Sequence, residues 1–73
     1  MTKVNGTNPR HAAAVEPLSE TKQPGWYKYG YRWLCHLYIM GQAGWAPANT
    51  GNPAKTEAEA MQIAQRWADN PKY

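Results

Sequence analysis

Seventy-three residues at 8.2 kDa, 42% hydrophobic and 18% charged, make at most one small domain and exclude a conventional multidomain enzyme. Eight Lys and Arg against five Asp and Glu leave a net charge of +3 and a pI near 9.2, which suits an anionic or acidic partner without identifying one. A mean hydropathy of -0.79, with no apolar run of about 18 residues, excludes a membrane-spanning helix; the start Met1-Thr2-Lys3-Val4-Asn5-Gly6 lacks the apolar core of a signal peptide, so a cytoplasmic protein is expected.

The first 23 residues hold Asn5, Gly6, Thr7, Asn8, Pro9, Pro17, Ser19, Glu20, Thr21, Lys22 and Gln23, with only Ala12-Ala13-Ala14-Val15 to bury. Such a composition does not offset the entropy of ordering it, and residues 1–23 read as a flexible, disordered arm with a helical turn at most near Ala12. Its net charge of +1 is too small for a polybasic nucleic-acid tail.

Residues 24 to 53 contain seven of the nine Trp and Tyr residues, together with Lys28 and Arg32 and no Asp or Glu. The chain has no Phe, so every phenyl-sized or larger carbocyclic ring carries a polar handle, as suits surfaces wet on one side and later covered. Pro24-Gly25 opens the stretch as a turn, and Trp26-Tyr27-Lys28-Tyr29 is β-prone by its aromatic content. Gly30 permits a turn or bulge. Tyr31 to Met40 then reads as a strand whose alternation puts Tyr31, Trp33, Cys35, Leu37 and Ile39 on a core face. Arg32, Leu34, His36, Tyr38 and Met40 form a mixed face on which a partner can dock. Gly41-Gln42-Ala43-Gly44 is a hairpin turn, Trp45-Ala46 a short returning strand that Pro47 limits, and residues 47 to 53 a loop.

Thr56 followed by Glu59 is a capping box, and the periodicity beyond it predicts an amphipathic helix ended by Asn70-Pro71. Ala60, Met61, Ile63, Ala64, Trp67 and Ala68 share one arc, with Glu59, Gln62, Gln65, Arg66 and Asp69 opposite. The expected fold is α+β: a small two- or three-stranded antiparallel sheet packed by one C-terminal helix, a ββ(β)α domain over residues 24–73 behind the arm.

The residues that could carry chemistry do not converge. A single cysteine, Cys35, forms no internal disulfide, and with only His11 and His36 beside it supplies no closed zinc site. Cys35 and His36 are adjacent on a strand and point to opposite faces, which excludes a nucleophile-base hydrogen bond. The glycines match neither a dinucleotide fingerprint nor a phosphate-binding loop, and Glu57 and Glu59 suit a helix start rather than acid-base work. No enzyme, cofactor, metal or small-molecule substrate is expected.

Binding is the remaining class. Trp26, Lys28, Arg32, His36, Tyr38 and Trp45 interleave rings and cations, and are the expected partner-binding residues of a chain that is a monomer when free. Nucleic acid is one candidate partner, since rings among cations on a sheet make a stacking surface. The strand-strand-helix order with the helix start Thr56-Glu57-Ala58-Glu59-Ala60 resembles the sheet-reading arm-type domains of phage integrases over about residues 26 to 69. Two cations among seven rings is nonetheless closer to a protein interface, whose centre favours Trp, Tyr, Met and Arg. In length, basic charge and the run Trp26-Tyr27-Lys28-Tyr29-Gly30-Tyr31-Arg32-Trp33, the chain is similar to small RNA-polymerase-binding transcription regulators of lytic Xanthomonas phages. That resemblance implies a non-catalytic regulator in the host bacterial cytoplasm, which inhibits host transcription initiation and promotes antitermination.

Overall fold

The computed structural model describes residues 1–71, and of Thr50 the backbone only. Its elements in chain order are β1 (Thr2–Val4), β2 (His11–Pro17), α1 (Pro24–Lys28), β3 (Trp33–Gly41), β4 (Gly44–Ala54) and α2 (Glu57–Ala68). The four strands form one antiparallel sheet in the order β1-β2-β3-β4, and α2 crosses one of its faces. The fold is therefore α+β with a C-terminal helix, as the sequence predicts, but the sheet is larger. None of the helices among the described residues is long and apolar enough to cross a membrane.

The additional strands come from residues 1–23, and here the expectation of a disordered arm is corrected. β2 lies between β1 and β3, with Val4 opposite Ala13, Ala13 opposite Leu37 and Val15 opposite Cys35. These residues face α2 and join Ala54, Ala60, Ala64 and Ala68 in one buried cluster, flanked by the half-buried Trp33, Met61, Ile63 and Trp67. Alanine is a weak strand former. What holds Ala13 in the sheet is the alanine face of α2: small residues on both sides let the two backbones approach closely, and each excludes water from the other.

The polar loop between β1 and β2 is ordered by the end of α2. A helix leaves its last carbonyls without intrahelical donors. The backbone N–H of Asn8 donates to the Ala68 carbonyl at 3.0 Å, the Asn8 side-chain amide donates to the Asn70 carbonyl, and His11 Nδ1 lies 2.8 Å from the Trp67 carbonyl. A carbonyl only accepts, so His11 carries a proton on Nδ1. Thr7 N–H adds a 2.8 Å bond to the Asp69 carboxylate. Gly6 passes so close that a Cβ there would meet the Ala68 carbonyl carbon at 2.7 Å. The Asn-Gly-Thr-Asn composition that reads as disorder is a long-range helix cap.

Two local expectations also change. Trp26 to Tyr29 are not extended: Pro24 stands at the first position of α1, where its fixed φ and missing N–H suit a helix start, and this outweighs aromatic β-propensity over five residues. Residues 47 to 53 are not a loop, because β4 continues to Ala54 through irregularities in its register opposite Cys35, Leu37 and Tyr38. β4 is the sheet's edge, where prolines 47 and 53 are tolerated because one side of the strand needs no ladder partner. The hairpin turn falls where expected, with Gly41 opposite Gly44 and Gly44 at φ 111°. So does α2: the Thr56 hydroxyl accepts from Glu59 N–H at 3.2 Å, and Glu59 reaches back to Lys55 N–H at 3.3 Å.

Candidate functional site: the open face of the sheet

The face turned away from α2 is built by the alternate residues of the same strands. Its cross-strand rows run Lys3, Ala14, His36 and Ala12, Tyr38, Pro47, with Glu16, Leu34 and Pro53 at one end and Met40 opposite Trp45 at the other. The alternation expected for β3 is thus the one observed from Trp33 onward, while Tyr31 lies outside the strand.

The two ends of this face differ. Leu34 is only 2% exposed although no strand or α2 covers it. The connection of residues 18–32 comes back to this end, and the Trp26 ring lies where a Cβ added at Gly51 on β4 would meet it at 3.5 Å. Two backbone bonds close its base: Leu18 N–H to the Arg32 carbonyl at 2.9 Å and Arg32 N–H to the Ala54 carbonyl at 3.0 Å. Among the described residues the other end carries no such cover. There Ala12 and Ala14 form the floor of a groove of about 290 Å³, with Met1, Lys3 and Asn5 on one bank and Tyr38 and Trp45 on the other. Trp45 is 49% exposed, a large apolar surface beside an apolar floor.

His36 borders this groove through the row it shares with Ala14. Its Nε2 donates to Glu16 Oε1 at 2.9 Å, so the imidazole is held against a carboxylate on its own face. Its ring centroid is 6.5 Å from that of Tyr38. Tyr38 is fixed from behind, since its backbone carbonyl accepts the Trp67 indole N–H at 2.9 Å. Trp67 in turn stacks on His11, with centroids 3.8 Å apart and planes 5° from parallel. The aromatic bank of the groove is therefore braced by the core on the other side of the sheet.

Of the six expected partner-binding residues, His36, Tyr38 and Trp45 come together on the open face. Trp26, Lys28 and Arg32 do not lie on the sheet; they belong to the connection and α1. Arg32 serves there as a staple: its Nη1 donates to the Tyr27 and Tyr31 carbonyls, each at 2.9 Å, and its guanidinium lies 3.8 Å over the Tyr27 ring. Lys28 is exposed in the last turn of α1, where a cation suits the helix C-terminus.

Sequence reasoning missed Lys3, Asn5, Ala12, Ala14 and Glu16. The signal was a period of two, Met1-Lys3-Asn5 and Ala12-Ala14-Glu16, but each run is too short and too polar or too small to stand out. Cys35 points to the opposite face, is fully buried, and has its thiol pushed up by that burial, so it is protonated at neutral pH. Among the described residues no group of three or more His, Cys, Asp and Glu is placed to hold a metal ion.

No protein-family model matches the chain, and neither the curated proteins nor the solved structures contain a significant match to it.

Proposed function

We propose that this chain is a small non-catalytic regulator, monomeric when free, that acts by docking the open face of its sheet on a protein. Bacterial RNA polymerase is the partner that the resemblance to phage transcription regulators names, with inhibition of initiation and promotion of antitermination as the effects. The observation that carries the docking reading is the uncovered groove flanked by Tyr38 and the half-exposed Trp45, an aromatic, amphipathic surface of the kind that anchors protein interfaces.

The alternative, a sheet that reads nucleic acid, is weakened by Arg32. Phosphate-driven binding needs several free cations in one track. One of the two cations expected on that surface is already bonded to two carbonyls and stacked on a ring.

The test uses purified bacterial polymerase core and holoenzyme, with promoter and terminator templates. Binding of the chain, fewer initiated transcripts and increased terminator read-through are expected, with Tyr38→Ala and Trp45→Ala each weakening binding by about 2 kcal/mol as interface anchors. Tight DNA binding with a steep salt dependence, and no association with polymerase, would favour the alternative.

A further inference from the structure

The occupant of the groove follows from what its lining lacks. Ala12 and Ala14 give an apolar floor and Met1, Tyr38 and Trp45 add apolar banks, while Lys3 brings the one charged side chain among the described residues of the lining. Lys3 is exposed, shares a cross-strand row with Ala14 and belongs to the lining, which puts a long cationic side chain beside the apolar floor. Among the described residues no carboxylate lines the groove to oppose it, and Glu16, on the same face, is engaged by His36. The volume of about 290 Å³ is at the bottom of the range of roughly 300–1,000 Å³ that holds small-molecule ligands, which suits one or two side chains.

We infer that the groove takes a short segment of a partner protein in which a leucine or phenylalanine has an aspartate or glutamate within two residues of it. The apolar side chain lies over Ala12 and Ala14 against Tyr38 and Trp45, and the carboxylate meets the Lys3 ammonium. The inference rests on the docking role proposed above for this face. A basic segment is disfavoured twice, by Lys3 locally and by the net +3 of the whole chain.

Three capped peptides test it, Gly-Ser-Leu-Phe-Asp-Ser-Gly and its counterparts with Asn or Lys in place of Asp, titrated into the isotopically labelled full chain at low salt. Amide and indole shifts are expected at Lys3, Ala12, Ala14, Tyr38 and Trp45, with the Asp peptide binding about threefold tighter than the Asn peptide and the Lys peptide weakest. Added salt should compress that order. Lys3→Gln should remove most of the charge preference, leaving the part due to the net positive chain, and Lys3→Glu should reduce it further; because Lys3 is exposed at the sheet edge neither variant endangers the fold. Equal binding of the three peptides, shifts centred on α1 or α2, or tighter binding of a six-nucleotide oligothymidine in the groove would each overturn the inference.

Ala14→Leu, which fills the floor, separates this inference from the docking role. Loss of polymerase binding in that variant, with the three peptides indistinguishable on the native chain, refutes the stated occupant and leaves the docking surface in place. Unchanged polymerase binding, with the Asp peptide still preferred by the native groove, refutes the polymerase-docking role and leaves the groove's chemistry in place.

Discussion

Ala13 and its neighbours Ala12 and Ala14 sit on one strand, all three below 8% exposed, yet they do opposite things. Ala13 faces α2 and meets the alanine stripe of Ala60, Ala64 and Ala68, where smallness lets two backbones close on each other. Ala12 and Ala14 face away, and with no element of the described residues laid over them the same smallness leaves a groove between taller side chains. The meaning of an alanine in a sheet is set by what lies above it. One face is covered within the chain by α2; among the described residues no helix or strand covers the other at this end.

The covered face should be fragile, and Trp67→Ala is the largest test of it. That substitution removes the His11 stack, the indole bond to the Tyr38 carbonyl and packing against the core cluster, and should cost about 3–5 kcal/mol. In a domain of this size the total is itself of the order of 5 kcal/mol, so loss of the cooperative thermal transition is expected. A native-like melt would mean that the helix-covered face is not what holds the sheet together.

The paired substitutions Ala13→Leu and Ala14→Leu address the comparison directly. Overpacking beneath α2 should cost about 1–3 kcal/mol, because the helix has to lift or the sheet deform. The same change one residue on, toward the groove, should cost less than at Ala13, because the groove has room for the added carbons, while abolishing peptide binding there. Denaturant melts of the two variants provide the measurement, and equal losses would show that the two faces are packed alike.

How much of this was readable in the sequence depended on how far apart the partners are. The start of α2 was legible because the Thr56 hydroxyl caps the Glu59 N–H only three residues on while Glu59 reaches back to Lys55, and the hairpin at Gly41 to Gly44 is likewise local. The alternation of β3 correctly separated Cys35 and Leu37 from His36 and Tyr38, so half of the expected site lay on one face. The first strands were not legible, since the groups that order them are 62 residues away for Thr7 with Asp69 and 56 for His11 with Trp67. Composition counts what a segment can bury by itself and is blind to a helix end that needs donors. The groove was missed for the same reason, as its floor belongs to β2.

The local cap can therefore be set against the distant one. Thr56→Ala removes the acceptor for Glu59 N–H at the start of α2 and should cost about 1 kcal/mol. Because α2 is also held along its alanine stripe and at its far end, the melt should remain a single transition at a lower midpoint. A second transition would mean that helix and sheet unfold separately.

The smallest effect concerns the distant cap and is read through pH. The Thr7 backbone N–H, and then the Gln65 side chain, hold the Asp69 carboxyl below the usual aspartate range. Both donors stabilise the ionised form. A folded-state value depressed below the unfolded one means that the unfolded chain binds the proton more readily, so this contribution is complete above the unfolded aspartate value of about 3.9 and fades as pH falls through the lower folded value. Stability of the native chain should therefore decline on acidification through that window, in part because protonated Asp69 is a poorer acceptor for the loop that closes over α2. Asp69→Asn keeps an acceptor oxygen but cannot titrate, so its melts should show a shallower acid slope than the native chain while differing little at neutral pH. The carboxylate is exposed, which keeps the effect small and makes the slope, rather than the midpoint at one pH, the quantity to measure. If the slopes are identical, the charge on Asp69 adds nothing to the covered face, and the first strands are ordered by the Asn8 and His11 bonds to the helix carbonyls together with the packing of β2 under α2.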